Sequence, residues 1–448
     1  MNQRWTLHVE NFARIDSADI EIAPLMCFIG DNNSGKSYIM NLLWGIIANG
    51  QTFFHEVYRK NFEPTATYSF CIDWLEENTG KTVIMTDEVK QMYIAWFNEL
   101  LAKYKDELLK NIFNHEMSAK KIEIRNFSKE KNLSVHIWDA DNEKFPASKL
   151  NDNTILLEIH RKTIPLEISN LILCWRLLME NLVDVNRTIL GEELPIYLPA
   201  SRTGLLLVHK LIASKATRNI FSINPIENFQ ETLTAPYVQF LDLLIKLQNT
   251  TETKNEQKLS LMKFLQNEII HGDIAVKEDG KNIRYLPEDS DTELPMSITS
   301  SVVTEIASLL LLLTTQLPLR LIIIEEPEAH LHPALQKKIA QFLIRLVHIG
   351  IPIWITTHSD TILQHFNNMI KLNNRSDKKE CEELLQEFNY SEEDLLSPDE
   401  INLYQFERGE KHTYIQKLES GKYGFVANLF NKAIDELVNE IYAFQEVE

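Results

Sequence analysis

One eight-residue segment near the start of the chain combines two glycines, a lysine and a serine at a spacing that binds phosphate. Residues 30–37 read Gly-Asp-Asn-Asn-Ser-Gly-Lys-Ser, which fits the pattern G-x-x-x-x-G-K-[ST] without a mismatch. The apolar run 25–29 before it predicts a buried strand, and residues 38–47 after it predict a helix. The segment therefore lies where its chemistry requires, between a strand and the N-terminus of a helix.

The chemistry of this phosphate loop comes from its backbone and from two side chains. Glycines let the backbone N–H groups point inward, where they and the positive end of the helix hold phosphate oxygens. We expect Lys36 to contact the β- and γ-phosphates of ATP and Ser37 to bind Mg²⁺. The predicted nucleotide contacts of the loop are Gly30, Asn32, Asn33, Ser34, Gly35, Lys36, Ser37 and Tyr38.

A second segment has two adjacent carboxylates at the end of an apolar run. Residues 321–324 predict a central parallel strand, with Glu325 and Glu326 at its carboxyl end, where open α/β sheets bind ligands. A strand beside the phosphate-loop strand would bring both carboxylates to Mg²⁺ and the γ-phosphate. Because successive strand residues face opposite ways, we expect Glu325 to hold Mg²⁺ through its water shell. Glu326 is expected to orient and polarise the attacking water.

A histidine follows the next apolar run. Residues 351–357 predict a neighbouring strand, and His358 lies just past its carboxyl end. A neutral imidazole there can hydrogen-bond the γ-phosphate or the attacking water. The predicted catalytic residues are Glu326, His358 and Lys36, and the predicted metal ligands are Ser37 and Glu325.

Composition limits the class of protein. The 448 residues are 44% hydrophobic and 24% charged, which is typical of a soluble globular protein and excludes a mainly disordered chain. The net charge of −19 repels nucleic acid on average, so any such contact would need a local basic patch. Four scattered cysteines without C-x-x-C spacing predict reduced thiols. No apolar run reaches the ~20 residues that span a bilayer, so we predict a cytoplasmic protein without a membrane partner.

The motifs together resemble a known family. The segments 11–12, 30–37, 325–333 (Glu-Glu-Pro-Glu-Ala-His-Leu-His-Pro) and 356–360 (Thr-Thr-His-Ser-Asp) resemble the ABC-type ATPase heads of the SMC, RecF and OLD-like group. The likeness is closest to small bacterial AAA-type ATPases of anti-phage defence operons, such as the Septu and PARIS ATPase subunits. Because no D-x-D follows His358, the Toprim nuclease domain of OLD proteins is not expected.

The resemblance implies an α/β fold, a P-loop ABC-type head built from both ends of the chain with an inserted α/β and helical middle domain. Two such heads would enclose two ATP molecules in a homodimer or a higher even oligomer. A signature segment of one head would then contact the ATP held by the other. The matching segment here is 294–305, which places Ser300 and Ser301 at the start of the apolar helix 306–313.

Two arginines also follow from the resemblance. Arg202, in the segment 197–204, is expected near the nucleotide or a dimer contact, and Arg14 is expected to line the nucleotide. The predicted domains are 1–50 (N-terminal lobe with the phosphate loop), 51–195 (inserted middle domain), 196–365 (remainder of the head) and 366–448 (C-terminal strand and helix extension).

The remaining segments carry secondary-structure predictions and one open interpretation. The basic residues Lys120, Lys121, Arg125, Lys129 and Lys131 either contact DNA, RNA or an acidic partner, or form a solvated strand edge guarded by lysines. The pattern predicts helices at 93–115, 171–183, 238–248, 378–387 and 424–444, and strands at 121–125, 133–138, 154–160 and 400–406.

We therefore predict an ATP-binding and hydrolysing ATPase that dimerises around ATP and controls an effector, a nuclease encoded nearby, in anti-phage defence. A phage protein or a nucleic acid would be the trigger. Two alternatives remain open at this stage. One is a RecF-like DNA-maintenance ATPase, and the other is a nucleotide-gated sensor scaffold with little turnover.

Overall fold

The chain folds around a nine-stranded mixed sheet whose order is β5-β1-β2-β15-β14-β3-β13-β12-β8. A computed structural model describes residues 5–61, 65–126, 133–144, 154–160, 169–170, 173, 195–220, 233–246, 253–276, 283–316, 319, 321–421 and 424–445. The strands are β1 (Thr6–Phe12), β2 (Ile15–Glu21), β3 (Leu25–Gly30), β4 (Thr82–Met85), β5 (Lys121–Arg125), β6 (Leu133–Asp139), β7 (Thr154–Ile159), β8 (Ile196–Leu198), β9 (Gly272–Val276), β10 (Ile283–Pro287), β11 (Leu294–Pro295), β12 (Ile322–Glu325), β13 (Ile353–Thr357), β14 (Ile401–Arg408) and β15 (Thr413–Leu418).

Helices cover both faces of this sheet. The first, α1, follows the phosphate loop directly, and the strongly apolar α7 begins within the predicted signature segment. The helices are α1 (Lys36–Asn61), α2 (Ala66–Asn78), α3 (Asp87–Phe113), α4 (Arg202–Ile220), α5 (Ala235–Lys246), α6 (Glu256–Leu265), α7 (Ser301–Thr314), α8 (Pro333–His348), α9 (Asp360–Asn373), α10 (Lys378–Glu387) and α11 (Asn428–Gln445). Within the described residues, no helix combines the length and apolarity needed to cross a membrane.

Strands β14, β3, β13, β12 and β8 run parallel to one another, so their carboxyl ends meet at one edge of the sheet. Strand β13 lies between β3 and β12, pairing with both. The expectation that the carboxylate strand lies directly beside the phosphate-loop strand is therefore wrong. The strand that precedes His358 is the neighbour of the phosphate-loop strand, and the carboxylate strand is one position further out.

The sheet is assembled from both ends of the chain. Strands β1 to β3 come from the N-terminal part and β12 to β15 from the C-terminal part, with β14 pairing directly with β3. The predicted α/β class and the head built from both ends are confirmed. The C-terminal strand β14, within the predicted segment 366–448, lies in the centre of the sheet.

Strand β3 is apolar throughout because the sheet is covered on both sides. Met26 and Phe28 face a core that includes α1 and α3, whereas Leu25, Cys27 and Ile29 face a second core that includes α7, α8 and α9. The two cores fix the position of β3 in the sheet, and hence the position of the loop that follows it.

The middle of the chain is only partly separate from the head. Strand β5 pairs antiparallel with β1 at the edge of the main sheet, so 51–195 does not form a wholly independent unit. Strands β4, β6 and β7 form a three-stranded sheet of their own, and β9 to β11 form another. The predicted helices 93–115, 238–248 and 378–387 correspond to α3, α5 and α10, while 171–183, apart from Leu173, lies outside the described residues.

The described part of the basic cluster forms ion pairs along the edge strand. Lys120 Nζ lies 2.6 Å from Glu10 Oε2, Lys121 Nζ lies 2.8 Å from Glu123 Oε2, and Arg125 also pairs with Glu123. These contacts favour the interpretation as a solvated, charged strand edge. Lys129 and Lys131 lie outside the described residues.

Candidate nucleotide site

The phosphate loop leaves β3 at Gly30 and enters α1 at Lys36. Gly30 has a φ of +144°, and a Cβ atom there would lie 2.1 Å from the carbonyl oxygen of Phe406. Gly35 has a φ of +99° and Asn33 a φ of +58°. Only glycine fits at position 30, because both the backbone conformation and the neighbouring strand exclude a side chain.

Lys36 holds the loop closed from inside. Its ammonium donates to the carbonyl oxygens of Gly30 at 2.9 Å and Asp31 at 2.7 Å. The side chain is buried, and this burial lowers the pKa of Lys36 to about 8, against the opposing attraction of Glu326 and Asp31. A partly desolvated ammonium group at the phosphate loop is a strong electrostatic partner for phosphate.

Glu326 ends the carboxylate strand in a left-handed conformation, with a φ of +46°. Such a conformation costs a non-glycine residue about 1–2 kcal/mol. It is held in place because the Glu326 N–H donates to the carbonyl oxygen of Thr356 at 2.9 Å. The turn leaves the Glu326 side chain partly exposed at the cavity, with Oε1 3.9 Å from Nε2 of His358.

His358 lies between the carboxylate and the phosphate loop. Burial and the charge of Lys36 lower the pKa of His358, so its ring is neutral near pH 7. Its backbone N–H donates to Oε1 of Glu328 at 2.6 Å, and burial raises the pKa of that carboxyl. Glu328 was missed by the sequence analysis, although the Glu-Glu-Pro-Glu run contained it.

These groups converge on one cavity of about 910 Å³ at the carboxyl edge of the parallel strands. Its volume lies at the upper end of the range usual for small-molecule sites, roughly 300–1,000 Å³. It includes Arg14 and every predicted loop residue except Gly30, which forms the base of the loop. The lining residues are Ala13, Arg14, Asn32, Asn33, Ser34, Gly35, Lys36, Ser37, Tyr38, His115, Met117, Glu326, Thr356, His358 and Arg408.

Several of these lining residues were not predicted. His115 and Met117 follow α3, and Arg408 ends β14. No local motif marks them, because each reaches the cavity only through the packing of its own element on the sheet. Arg14 donates to the carbonyl oxygen of Glu410 at 3.1 Å, which ties the β1–β2 turn to the β14–β15 turn above the loop.

Glu325 does not line the cavity but is buried behind it, with 4% of its surface exposed. Its Oε2 accepts the Ala200 N–H at 3.2 Å, while Oε1 has no hydrogen-bond partner among the described residues. The Tyr197 hydroxyl lies beside this carboxylate without hydrogen-bond geometry, and burial together with the Glu325 charge raises the pKa of Tyr197. A buried carboxylate oxygen without a donor fits a cation or its water shell.

Arg202 lies away from the cavity lining, at 2% exposure, which corrects the predicted contact with nucleotide. Its guanidinium donates to the carbonyl oxygens of Glu325 at 2.7 Å and Glu326 at 3.1 Å. Its Nε lies 2.7 Å from Oε2 of the equally buried Glu305. Arg202 therefore holds the backbone of the carboxylate pair from behind.

Ser300 and Ser301 are exposed at the start of α7 and do not line the cavity of their own chain. Ser300 caps the helix, because its Oγ accepts the Val303 N–H at 3.4 Å. The apolar helix 306–313 predicted after them lies within α7.

His330 and His332, the two histidines of the 325–333 segment, form no metal site. His332 caps α8 with its ring, and His330 is exposed, 3.8 Å from Glu305. Among the described residues, no group of three or more His, Cys, Asp or Glu side chains is arranged to hold a metal ion.

A phosphate loop, a strained glutamate and a neutral histidine at the carboxyl edge of a parallel sheet define a P-loop nucleotide site of the ATPase type. The AAA ATPase domain family matches residues 6–363, and the chain belongs to this family. Among curated proteins, no sequence matches the chain.

Solved SMC head domains are similar to the chain at low sequence identity. An Smc head bound to the C-terminal winged-helix domain of ScpA has 9% identity over 93% of this chain and 98% of its own, with a TM-score of 0.38. An Smc head with an extended coiled coil, bound to the C-terminal domain of ScpA from Pyrococcus furiosus, has 10% identity over 98% of both chains and a TM-score of 0.36. The SMC head from Thermotoga maritima has 9% identity over 94% of this chain and 100% of its own, with a TM-score of 0.34.

Proposed function

We propose that the protein binds and hydrolyses ATP at this cavity, closes two heads around the nucleotide, and thereby controls an effector protein. The convergence of Lys36, Glu326 and His358 on one cavity beside the phosphate loop is the observation that carries the proposal. Lys36 begins α1, Glu326 follows β12 and His358 follows β13. A chance arrangement would not bring a lysine, a carboxylate and a neutral imidazole together.

Binding depends on the phosphate loop. The triphosphate accepts hydrogen bonds from the loop N–H groups at the N-terminus of α1, and Lys36 turns from the Gly30 and Asp31 carbonyl oxygens to the β- and γ-phosphates. Tyr38 and Arg14 line the same cavity and contact the remainder of the nucleotide.

Hydrolysis depends on Glu326 and His358. Glu326 accepts a hydrogen bond from the attacking water and aligns it with the γ-phosphate, while neutral His358 donates to a γ-phosphate oxygen or to the same water. The 3.9 Å between their side chains allows both to contact one water molecule. Lys36 offsets the charge that develops on the transferred group.

The residues present fit Mg²⁺. The Ser37 hydroxyl lines the cavity, and the unpartnered Oε1 of buried Glu325 is a suitable acceptor for the water shell of the ion. Held by the Ser37 hydroxyl and, through its water shell, by Glu325, Mg²⁺ would supply positive charge that offsets the charge of the phosphates.

The dimer part of the proposal rests on Ser300 and Ser301. Both are exposed at a helix N-terminus, where backbone N–H groups attract anions, yet both lie outside the cavity of their own chain. A second head can present the same serines to the γ-phosphate. The assembly would then be a homodimer or a higher even oligomer.

The effector and its biological setting are supported by the resemblance to anti-phage defence ATPases. In this setting ATP-driven closure holds or releases a nuclease encoded nearby, in response to a phage protein or nucleic acid. A RecF-like function with DNA held by the middle segment is less well supported, because the described basic residues Lys120, Lys121 and Arg125 are paired with carboxylates.

The test is steady-state ATP hydrolysis by the purified chain with Mg²⁺, beside nucleotide binding. We expect Glu326→Gln to bind ATP normally and to lose turnover by on the order of 100- to 10,000-fold, the usual contribution of a positioned base. Lys36→Ala is expected to lose ATP affinity. Normal turnover of Glu326→Gln would refute the catalytic assignment, and unchanged binding by Lys36→Ala would refute the site.

A further inference from the structure

We propose that Arg202 and Glu305 form a buried positioning unit that couples the start of helix α7 to the backbone of Glu326. The inference rests on the proposed function and deepens it, because it states how ATP contacted at the α7 start of one head sets the carboxylate in that same head. Neither residue touches the cavity, so both act through Glu326 and not on the substrate.

Arg202 fixes the carboxylate segment at two consecutive peptide groups. Nη1 donates to the Glu325 carbonyl oxygen at 2.7 Å, and Nη2 donates to the Glu326 carbonyl oxygen at 3.1 Å. The planar guanidinium can hold both oxygens in one fixed geometry, which an ammonium group cannot do. Arg202 thus determines where the strand ends and the left-handed turn at Glu326 begins.

Glu305 supplies the charge that keeps Arg202 in this place. It is 1% exposed, and its Oε2 lies 2.7 Å from Nε of Arg202. Its other oxygen accepts the Thr203 hydroxyl at 2.5 Å. A buried ion pair is strongly destabilised when one partner is removed, so the position of Glu305 dictates the position of Arg202.

Glu305 also belongs to the helix that carries Ser300 and Ser301. It lies four residues after Ser301, about one helical turn below the exposed N-terminus. The neighbouring Val303, Ile306 and Ala307 are buried in the core, so α7 shifts as a rigid body when its N-terminus is drawn to an anion. Such a shift moves Glu305 and, through Arg202, the Glu325 and Glu326 carbonyl oxygens.

Glu326 is the residue whose backbone conformation can change in response to this shift of α7. Its φ of +46° is strained. Its N–H donates to Thr356, and its carbonyl oxygen accepts from Arg202 and from the Ala329 N–H at 3.0 Å. Loss of one contact lets the backbone relax and turns the side chain away from the water site. The Glu326 carboxylate can therefore orient the attacking water only while the Arg202–Glu305 pair keeps its position.

The test compares Arg202→Lys with the same substitution in another ion pair, whose aspartate is buried and whose arginine is partly exposed. Arg345 and Asp394 form a similar ion pair, with Nε 2.6 Å from Oδ1, near the C-terminal end of α8 and outside the cavity lining. We expect Arg202→Lys to lower kcat by on the order of 100-fold, as small misplacements of catalytic groups do, with the Kd for ATP unchanged. Arg345→Lys is expected to change the thermal midpoint without lowering kcat.

A double-variant comparison separates positioning from general damage. If Arg202 acts through Glu326, adding Arg202→Lys to Glu326→Gln leaves the residual single-turnover rate unchanged. The isosteric Glu305→Gln is expected to lower kcat as Arg202→Lys does, without adding to it, and it serves as the test if Arg202→Lys does not fold. Additive losses, or a kcat of Arg202→Lys and Glu305→Gln equal to that of wild type, would overturn the inference.

The same measurements distinguish the positioning role of Arg202 from the hydrolysis that depends on Glu326. Normal kcat in Arg202→Lys beside an inactive Glu326→Gln refutes the positioning unit alone. Wild-type turnover in Glu326→Gln refutes the proposed hydrolysis as well.

Discussion

The α-carbon of Gly30 lies so close to the carbonyl oxygen of Phe406 that a Cβ atom at position 30 would approach it to 2.1 Å. The two residues are partners in the register of neighbouring parallel strands, and the Asp31 N–H donates to the same Phe406 oxygen at 3.3 Å. The floor of the phosphate loop is thus a strand that comes from residues 401–408.

Gly30→Ala is expected to destabilise the fold and weaken ATP binding, because the new methyl group collides with backbone that cannot move aside. We expect a loss of at least about 2 kcal/mol in the free energy of unfolding, in the range of backbone strain plus steric overlap. Urea unfolding followed by circular dichroism measures it.

Gly204→Ala is the matched control for this substitution. Gly204 is exposed in the first turn of α4, and a Cβ there would meet nothing within 4 Å. The control should gain up to about 1 kcal/mol by helix propensity. Equal stability of the two variants would contradict the close approach at Gly30.

The phosphate loop, the carboxylate pair and the histidine could be predicted from sequence because each is a local pattern with fixed strand and helix flanks. The position of β13 between β3 and β12 could not, since the order of parallel strands depends on crossovers that no local pattern records. Arg202 was misassigned for a related reason. A lone arginine after a strand gives no sign of whether it faces a cavity or turns inward to Glu305, about 100 residues further along the chain.

Ser300→Asp tests the contact between heads. Aspartate also caps helices, so α7 should remain intact, but its charge would repel a γ-phosphate presented by the second head. We expect loss of ATP-induced dimerisation in the Glu326→Gln background, with ATP binding to each head retained. Light scattering after size exclusion measures the mass.

Ser300→Asn is the control for the helix cap, because it keeps a capping side chain without the charge. It should dimerise as the parent does. Dimerisation of the aspartate variant at the same ATP concentration would remove Ser300 from the interface.

His365 predicts how stability depends on pH. It is 3% exposed on α9, and neither ring nitrogen has a hydrogen-bond partner among the described residues. Burial, with a smaller contribution from Lys337, lowers the pKa of His365 to about 4, from 6.5 in the unfolded chain. The unfolded state therefore binds more protons, and stability should fall as the pH drops from about 6.5 to about 4, by about 1.4 kcal/mol per unit.

His365→Phe should remove this acid sensitivity, since phenylalanine can keep the packing against Tyr390 without a titrating ring. The measurement is urea unfolding near pH 7 and near pH 5.

His348→Gln is a control variant for which we expect the opposite effect on acid sensitivity. The carboxylate of Glu400 raises the pKa of His348, so this histidine stabilises the fold at low pH, and its removal should increase acid sensitivity. A His365→Phe variant as acid-sensitive as wild type would contradict the burial argument.

Glu325→Gln tests the metal assignment. Glutamine can still accept the Ala200 N–H, but it lacks the charge that favours Mg²⁺. We expect turnover to require a higher Mg²⁺ concentration, by about tenfold or more if one ion-carboxylate interaction of about 1.4 kcal/mol is lost. Titration of Mg²⁺ at saturating ATP measures this shift, with EDTA abolishing turnover in both proteins. An unchanged Mg²⁺ requirement would exclude Glu325 from the metal site.

The position of β14 beside β3 has a consequence for synthesis of the chain. The phosphate loop is synthesised before the strand that forms its floor, which follows more than 360 residues later. A nascent chain that has not yet emerged to residue 408 lacks both this floor and Arg408 of the cavity wall. The complete loop floor and cavity wall therefore form only after residues 401–408 have been synthesised and have paired with β3.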